Sequence, residues 1–211
     1  MLTQFLFILS LISILSCTKK NDSNTSAGEN KTTQISDTCE GPDIDVGCFF
    51  INPPTGLNSI MNIAGKSEEG IRMIITGQLK RSDNTPLKDV IIYAYHTDNN
   101  GYYSKKGNEK GFEKWHGHLH GWCKTDIDGN YEIHSIRPAR YPSNDIPAHI
   151  HWAIKKPDGT VTYLNDFVFS DDDLVDQNYL SRLNYPGDNG VISLKENPEG
   201  ILEGNRVTIL E

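Results

Sequence analysis

Short runs of β-branched and aromatic residues, separated by clusters of turn residues, extend from residue 71 to the end of the chain. Such runs favour strands, whereas clusters of Gly, Pro, Asn and Asp favour turns. The runs occupy residues 71–79, 90–96, 131–134, 161–164, 166–169 and 206–210. A helical period is expected only around 172–183. The pattern predicts an all-β fold, an antiparallel β-sandwich with irregular loops and little helix.

Two histidines, His149 and His151, stand at alternate positions in a further run that favours a strand. Residues two apart on a strand project from the same face, so both imidazoles should share one surface while Ile150 points to the core. A turn bracketed by two prolines precedes this run and would let Tyr141 come back over the strand. Two imidazoles and a phenol on one surface predict part of a metal site.

The strongest motif is Pro147-Ala-His-Ile-His, with the pair Tyr141-Pro142 upstream. Other motifs precede it in the order Gly77-Gln-Leu-Lys, Pro86-Leu-Lys-Asp-Val-Ile-Ile-Tyr-Ala, Asp98-Asn-Asn-Gly-Tyr-Tyr, Thr125-Asp-Ile-Asp-Gly-Asn-Tyr and Ile136-Arg-Pro-Ala-Arg-Tyr-Pro. This arrangement resembles the intradiol ring-cleavage dioxygenases, which include the protocatechuate and catechol cleavers. The resemblance covers residues 70–172, about half of the chain, and implies the β-sandwich of that family.

The resemblance implies a non-haem Fe(III) held by two tyrosinates, two histidines and a solvent ligand. Matched by motif, these residues are Tyr103, Tyr141, His149 and His151, with Tyr102 as the alternative to Tyr103. Hard phenolate oxygens suit a trivalent ion, and imidazole nitrogen is a good partner for iron. Taken one at a time, a tyrosine is more often an ordinary surface residue, and a histidine more often an ordinary hydrogen-bonded residue, than a metal ligand. The four together, in the family's order, predict a metal site.

The resemblance also implies a reaction, in which O₂ cleaves a catecholic ring between its two hydroxyls to a muconate-type diacid. Tyr141 would leave the metal and carry away a proton. The family places an arginine directly before its Pro-Ala-His-Ile-His block, where this chain has Ile146, so Arg137 or Arg140 could supply the charge instead. A glutamine expected after the histidines falls near Asp166. Both replaced positions are candidates to line the substrate pocket.

A second group of histidines, His116, His118 and His120, also stands at alternate positions. On a strand they could bind a second metal or line the pocket, and in a loop they would be solvated. Trp122 could stack on an aromatic ligand or simply pack. Because Ile146 replaces the family's arginine, a second class also stays open, a β-sandwich binding module that holds an aromatic or glycan ligand at the cell envelope without turnover.

The first residues resemble a targeting segment, because residues 1–16 are almost wholly apolar and Cys17 follows them directly. This order is similar to a bacterial signal peptide with a lipobox, which implies a lipid on Cys17. The alternative is an uncleaved helical anchor, although the run is shorter than the ~20 residues of a membrane span. Thr18, which is not acidic, favours the outer membrane. We therefore expect a lipid-anchored envelope protein, on the periplasmic or surface face.

Residues 17–37 are polar and lack a periodic apolar face, so they predict a flexible tether before a folded domain of residues 38–211. Outside the cytoplasm Cys39 and Cys48 could form a disulfide, or remain free and buried. The net charge of −8 argues against nucleic acid, which requires a basic face. The expected partners are a catecholic small molecule, O₂, and a membrane through the lipid anchor alone.

Overall fold

Two β-sheets face one another across an apolar core in the computed structural model, which describes Cys39 and residues 45–211. The first sheet has the spatial order β1 (Ile60–Asn62), β5 (Asn130–Ile136), β2 (Arg72–Arg81), β11 (Leu202–Leu210) and β10 (Lys195–Glu196). The second has the order β4 (His120–Lys124), β3 (Ile91–His96), β6 (His149–Lys155), β8 (Phe167–Phe169) and β9 (Val191–Ile192), with β7 (Val161–Tyr163) paired to β6. The predicted all-β sandwich is confirmed.

The sheets are mixed, which corrects the expectation of a purely antiparallel sandwich. The strands β1 and β5, β2 and β11, and β8 and β9 pair in parallel, and the other pairs are antiparallel. The pairing of β11 with β2 runs through nine residues of each strand and joins the last strand to one of the first. Strand propensity carries no information about the direction of pairing, so only the folded chain reveals this topology.

Helical structure is confined to short elements among the described residues. They are a 3₁₀ turn, Val46–Phe50, and two helices of four residues, α1 (Glu113–His116) and α2 (Gln177–Leu180). The helix α2 lies in the segment where helix was expected, and α1 was not anticipated. Gly117, with φ +68°, ends α1 in a conformation that glycine adopts without steric cost.

The predicted signal peptide, the lipidated Cys17 and the tether lie outside the described residues, so the structure does not bear on them. The described residues all belong to one compact unit, Ile35–Glu211. Within them, no helix has both the length and the apolar character required to span a bilayer.

Strand β6 shows how one alternating sequence serves two environments. Ile150 and Trp152 are fully buried in the core between the sheets. His149 and His151 project from the opposite, outer face, as the period of two predicts. Strand β3 pairs with β6 in a register that sets Tyr95 opposite His151, so the tyrosine lies on this outer face too. The outer face of the second sheet is therefore where the histidines meet aromatic neighbours.

A second apolar cluster covers the outer face of this sheet. Phe49, from the 3₁₀ turn, packs on Tyr93 with ring centroids 4.9 Å apart, and both side chains are buried. A disulfide joins Cys39 to Cys48, the residue directly before Phe49, at a Cα–Cα distance of 5.7 Å. The cluster extends to the histidines, because Tyr95 belongs to it and stacks on the His151 ring with centroids 4.7 Å apart.

Candidate metal centre

The loop after β3 and the segment after β5 lie against each other, and each carries one of the tyrosines matched above. Gly101 has φ +85°, and a Cβ at this position would lie 2.0 Å from the carbonyl oxygen of Arg140. The amide of Ala139 donates to the carbonyl of Asp98 at 3.0 Å, which ties the two segments a second time. Only glycine permits so close an approach with this backbone conformation. The contact brings the following tyrosines together.

The side chain of Asp98 shapes the loop that presents the first tyrosine. Its Oδ1 accepts hydrogen bonds from the amides of Asn100 at 2.8 Å and Tyr102 at 3.0 Å, and its Oδ2 accepts one from the hydroxyl of Ser104. These bonds turn the chain so that Tyr102 is 59% exposed while Tyr103 points inward. The structure therefore selects Tyr103 over its neighbour as the inward tyrosine.

Four donor atoms converge at this place. The hydroxyls of Tyr103 and Tyr141 lie 2.5 Å apart, and the Tyr141 hydroxyl lies 3.2 Å from Nε2 of both His149 and His151. The two Nε2 atoms are 3.0 Å apart. Donors that bind one ion at about 2.1 Å lie about 3 Å from each other when they are adjacent. The spacing of Tyr141, His149 and His151 therefore fits ligands of a single ion, and Tyr103 joins this group through its contact with Tyr141.

The hydrogen bonds of the two rings leave both Nε2 atoms directed at one point, where they can bind a shared cation. Nδ1 of His149 donates to the carbonyl of Pro147 at 2.6 Å, and Nδ1 of His151 donates to Asp166 at 3.1 Å. Neither acceptor can donate in return, so the neutral form of each ring carries its lone pair on Nε2. With both rings in this form, two lone pairs face each other at 3.0 Å. A metal ion relieves that repulsion, and the donors on its outer side orient the ligands.

Protonation states agree with this arrangement. Burial lowers the pKa of His149 to about 4, so its imidazole is neutral near neutral pH. Burial also raises the pKa of Tyr103 and of Tyr141 above the ordinary value of a phenol. Both hydroxyls are therefore protonated without a cation beside them, and their coordination to a metal would release protons.

Asp166 could be taken as a third ligand, because it lies with His149 and His151 in a group whose ligand atoms are within 4.8 Å of one another. Its carboxylate, however, approaches Nδ1 of His151, whereas the tyrosines face Nε2. Burial by itself would raise the pKa of Asp166, but the adjacent His151 holds it below its ordinary value, so the group is ionised. We assign Asp166 as the outer partner that orients His151.

Replacing Asp166 with asparagine tests this assignment. The amide keeps the shape but lacks the charge that polarises His151, so we expect metal affinity to fall about 10–100-fold. Metal titration of the purified protein measures the change, and Asp171→Asn, at an exposed carboxylate that pairs with Arg137, is the matched control. Complete loss of the metal would instead indicate that Asp166 is a direct ligand.

A cavity of about 270 Å³ adjoins this cluster. The residues that line it include Asp145, Ile146, Pro147, Asn165, Asp166, Tyr179, Arg182, Leu183 and Tyr185. None of the four metal-ligand candidates lines it, but Pro147 and Asp166 do, and each bonds one of the two histidines. The predicted pocket positions Ile146 and Asp166 do line it. Tyr179 and Arg182 belong to no motif recognised in the sequence, and only the fold brings α2 to this wall.

Arg137 and Arg140 were expected to supply the positive charge of the family's missing arginine, but neither is available for that role. Arg137 forms a two-pronged pair with Asp171, at 2.7 and 2.8 Å. Arg140 binds Asp172 through Nε at 3.0 Å and Nη2 at 2.5 Å. Neither residue lines the cavity described above. The expectation is corrected, because carboxylates that are distant in sequence neutralise both guanidinium groups.

The second group of histidines is dispersed by the fold. His116 is the last residue of α1, and its Nδ1 lies 2.8 Å from the Tyr93 hydroxyl. His118 lies in a loop and forms a hydrogen bond with Glu68 at 3.0 Å. His120 is the first residue of β4, and its Nδ1 forms a hydrogen bond with a backbone carbonyl. The three occupy different elements, so they do not share the face that a regular strand would provide. A common second metal is therefore not supported, and none of the three lines the cavity.

Trp122 likewise lies away from the cavity. Its ring packs 4.9 Å from that of Tyr93, and its Nε1 donates to the carbonyl of Phe49 at 2.8 Å. The side chain belongs to the apolar cluster on the outer face of the second sheet. Of the alternatives for Trp122, the structure favours packing over contact with a ligand.

Comparison with known proteins agrees with the geometry. Residues 46–192, which contain all four metal-ligand candidates, match a family model described as Dioxygenase. A chlorocatechol 1,2-dioxygenase from Rhodococcus opacus is 29% identical over 131 residues, which cover 54% of this chain and 49% of that protein. The chain thus spans about half the length of this curated relative.

Solved structures share the fold. The dioxygenase domain of a dioxygenase–carbohydrate-binding protein fusion from Streptomyces sp. SirexAA-E superposes with a TM-score of 0.56 at 20% identity, over 75% of this chain and 88% of that one. The 3-chlorocatechol 1,2-dioxygenase from Rhodococcus opacus 1CP gives 0.54 at 19% identity, over 75% and 68%. At these identities the likeness shows the sandwich architecture.

Proposed function

This chain belongs to the intradiol dioxygenase family, and from that premise we propose that it is a non-haem Fe(III) enzyme of catechol cleavage. In this proposal O₂ opens a catecholic ring between its two hydroxyls, and the product is a muconate-type diacid. One observation carries the proposal: two phenol oxygens and two imidazole nitrogens converge at 2.5–3.2 Å beside a cavity large enough for a ring.

The donor set favours ferric iron as the ion. Two phenolate oxygens and two neutral imidazoles supply hard, anionic ligands together with borderline nitrogens, a combination suited to a trivalent iron. Tyr103, Tyr141, His149 and His151 would hold it. The bound ion would supply the Lewis acidity that binds the substrate as a catecholate and makes its ring reactive toward O₂.

The residues of the chain then have separate roles. Tyr141 lies against Tyr103 and both imidazoles, so its oxygen, which would be a phenolate while it held the ion, is placed to take up a proton released by a catechol hydroxyl. Pro147 and Asp166 fix the tautomers of the two histidines. Ile146 presents an apolar side chain to the cavity, where it would contact the ring and exclude water beside it.

We expect the iron-loaded protein to show a visible absorption band, because tyrosinate ligands transfer charge to ferric iron. Tyr103→Phe and Tyr141→Phe should each shift or weaken this band, since each removes one phenolate. Tyr102→Phe is the matched control, because its ring is 59% exposed and one residue from the ligand. Visible spectra paired with metal analysis give the result, and a protein that takes up iron without any such band contradicts the ligand assignment.

Turnover is tested by catechol-dependent consumption of O₂ and by the mass of the product. Intradiol cleavage incorporates both oxygen atoms, so a diacid should form with one O₂ consumed per catechol. A binding module would bind the catechol without consuming O₂, and that outcome would support the alternative derived from the sequence. Envelope attachment through Cys17 remains a separate proposal that rests on residues 1–37, and mass analysis of the mature amino terminus tests it.

A further inference from the structure

The guanidinium of Arg206 lies in the core between the two sheets. Its backbone belongs to β11 of the first sheet, and its side chain, which is 1% exposed, reaches across to strands of the second sheet. There its Cζ lies 4.7 Å from the ring centroid of Trp152 and 4.5 Å from that of Phe167. Among Cys39 and residues 45–211, no other lysine or arginine is buried.

This guanidinium binds two loop segments of the second sheet at once. Its Nη2 donates to the backbone carbonyl of Asn165 at 2.9 Å, and its Nε donates to Oδ1 of Asp188 at 2.8 Å. Nε1 of Trp152 donates to the same Asn165 carbonyl at 2.9 Å. Asn165 directly precedes Asp166, the outer partner of His151. The guanidinium therefore holds the backbone beside the carboxylate that orients a metal-ligand candidate.

The segment that carries Asp188 is itself fastened to Asn165 and Asp166. The side-chain amide of Asn165 donates to the carbonyls of Tyr185 at 2.9 Å and of Asp188 at 2.8 Å. Oδ1 of Asp188 accepts a hydrogen bond from the amide of Gly190 at 3.2 Å, and a Cβ at Gly190 would lie 1.8 Å from the carbonyl oxygen of Asp166. Because these contacts interlock, loss of the guanidinium would loosen the backbone on both sides of the Asp166 carboxylate.

A role in folding alone does not explain a buried guanidinium. Removal of a charge from water costs free energy, and well-packed apolar residues of similar volume often stabilise a core as well as a buried ion pair does. Nη1 of Arg206 also has no hydrogen-bond partner within the described part of the chain, so the core satisfies the group only in part. What Arg206 provides, and an apolar side chain lacks, is a planar fork that fixes two acceptors, the Asn165 carbonyl and the Asp188 carboxylate.

We propose that Arg206 is a positioning residue of the metal centre, which acts through Asn165 and Asp166 on the ring of His151. The guanidinium fixes the Asn165 carbonyl, this anchor sets the place of the Asp166 carboxylate, and the carboxylate accepts the Nδ1 proton of His151 at 3.1 Å. Nε2 of His151 is thereby kept free of a proton and directed at the other donors. The inference rests on the metal centre of the proposed function and adds to it a residue from the opposite sheet.

The first test uses the metal-free protein and requires no turnover. In the wild type, nitrogen NMR of the His151 ring in mildly alkaline buffer should show a proton on Nδ1 and none on Nε2. In Arg206→Met, part of the population should move to the opposite tautomer, because the Asp166 carboxylate is no longer held in place. Arg206→Lys keeps the charge but lacks the planar fork, so its shift should have the same direction and a smaller size, and it decides the question if Arg206→Met does not fold. An unchanged tautomer in the folded variants would overturn the proposal.

Two control variants separate positioning from a general loss of stability. Thr208 is buried on the same strand as Arg206, and its hydroxyl has no hydrogen-bond partner among the residues described, so Thr208→Val should keep the wild-type tautomer of His151. Val90 is fully buried directly before β3, at the end farther from Tyr95 and His151. Val90→Ala should lower the stability of the fold without a change of tautomer. If Val90→Ala shifted the tautomer as far as Arg206→Met does, the role of Arg206 would be structural only and the proposal would be wrong.

The affinity for Fe(III) supplies a second test through a double-mutant cycle. Arg206→Met alone should lower this affinity about 10-fold, the lower end of the range for residues that orient a metal ligand. In the Asp166→Asn background the same change should alter it by no more than about twofold, the usual scatter of such cycles. An equal loss in both backgrounds would show that Arg206 acts independently of Asp166 and contradict the proposal. A protein that binds no iron would refute the proposed function, whereas the tautomer shift in Arg206→Met would still support the positioning of His151.

Discussion

Replacing His149 with alanine should remove the metal and ring cleavage together. Its Nε2 lies 3.0 Å from that of His151 and 3.2 Å from the Tyr141 hydroxyl, so it holds a central place in the donor cluster. Changes to residues that merely orient a ligand cost about 10–100-fold in metal affinity, and loss of a ligand itself should exceed that range, more than ~100-fold. Metal content after dialysis and catechol-dependent O₂ uptake are the measurements.

The matched control is His118→Ala. His118 has a carboxylate partner, Glu68, and a backbone partner, Ser104, much as the histidines of the metal centre have theirs. It lies outside the donor cluster, so iron content should remain at the wild-type level. If His118→Ala lost the metal while His149→Ala retained it, the second group of histidines would be the metal site and the assignment made here would be wrong.

Replacing Gly101 with alanine should destabilise the protein and also weaken metal binding. The new Cβ would lie 2.0 Å from the carbonyl oxygen of Arg140, and the backbone has φ +85°. The left-handed conformation costs a non-glycine residue about 1–2 kcal/mol, and relief of the clash adds about 1–3 kcal/mol. The contact aligns the loops of Tyr103 and Tyr141. An added methyl group that pushes these loops apart should therefore also reduce the affinity for iron.

Gly107→Ala separates the conformational cost of a left-handed residue from the effect of the clash. Gly107 has φ +94°, but a Cβ added there would meet nothing within 4 Å. Its replacement should therefore show the conformational cost alone, about 1–2 kcal/mol, with iron binding preserved. Urea unfolding of the two variants measures the free energies. Equal losses of stability, with equal iron affinity, would show that the contact between Gly101 and Arg140 does not align the tyrosines.

Much of the site was accessible from local patterns in the sequence. The period of two on β6 places His149 and His151 on one face and Ile150 in the core, and the structure has this arrangement. β-branched and aromatic runs predicted most of the longer strands, because these residues suit a pleated, half-buried surface. Shorter strands such as β1 and β10 carry too few residues for such a pattern.

The ion pairs around the site could not be predicted from local sequence patterns. Arg137 and Arg140 lie close in sequence to the metal ligands, but they pair with Asp171 and Asp172, more than thirty positions away. Arg182 is equally distant in sequence from the histidines, yet it lines the adjoining cavity. Which cation meets which anion depends on how loops pack, and neither spacing nor composition encodes that.

The sequence by itself determined the all-β class, the shared face of His149 and His151, and the family to which the ligand motif belongs, because these depend on strand periodicity and on residue types in fixed order. Only the tertiary structure decided that Tyr103 rather than Tyr102 joins the cluster, that the sheets contain parallel pairs, and that Arg182 faces the cavity. The physical reason is that these outcomes arise from contacts between segments distant in the chain, where close backbone approach and hydrogen-bond partners select one arrangement.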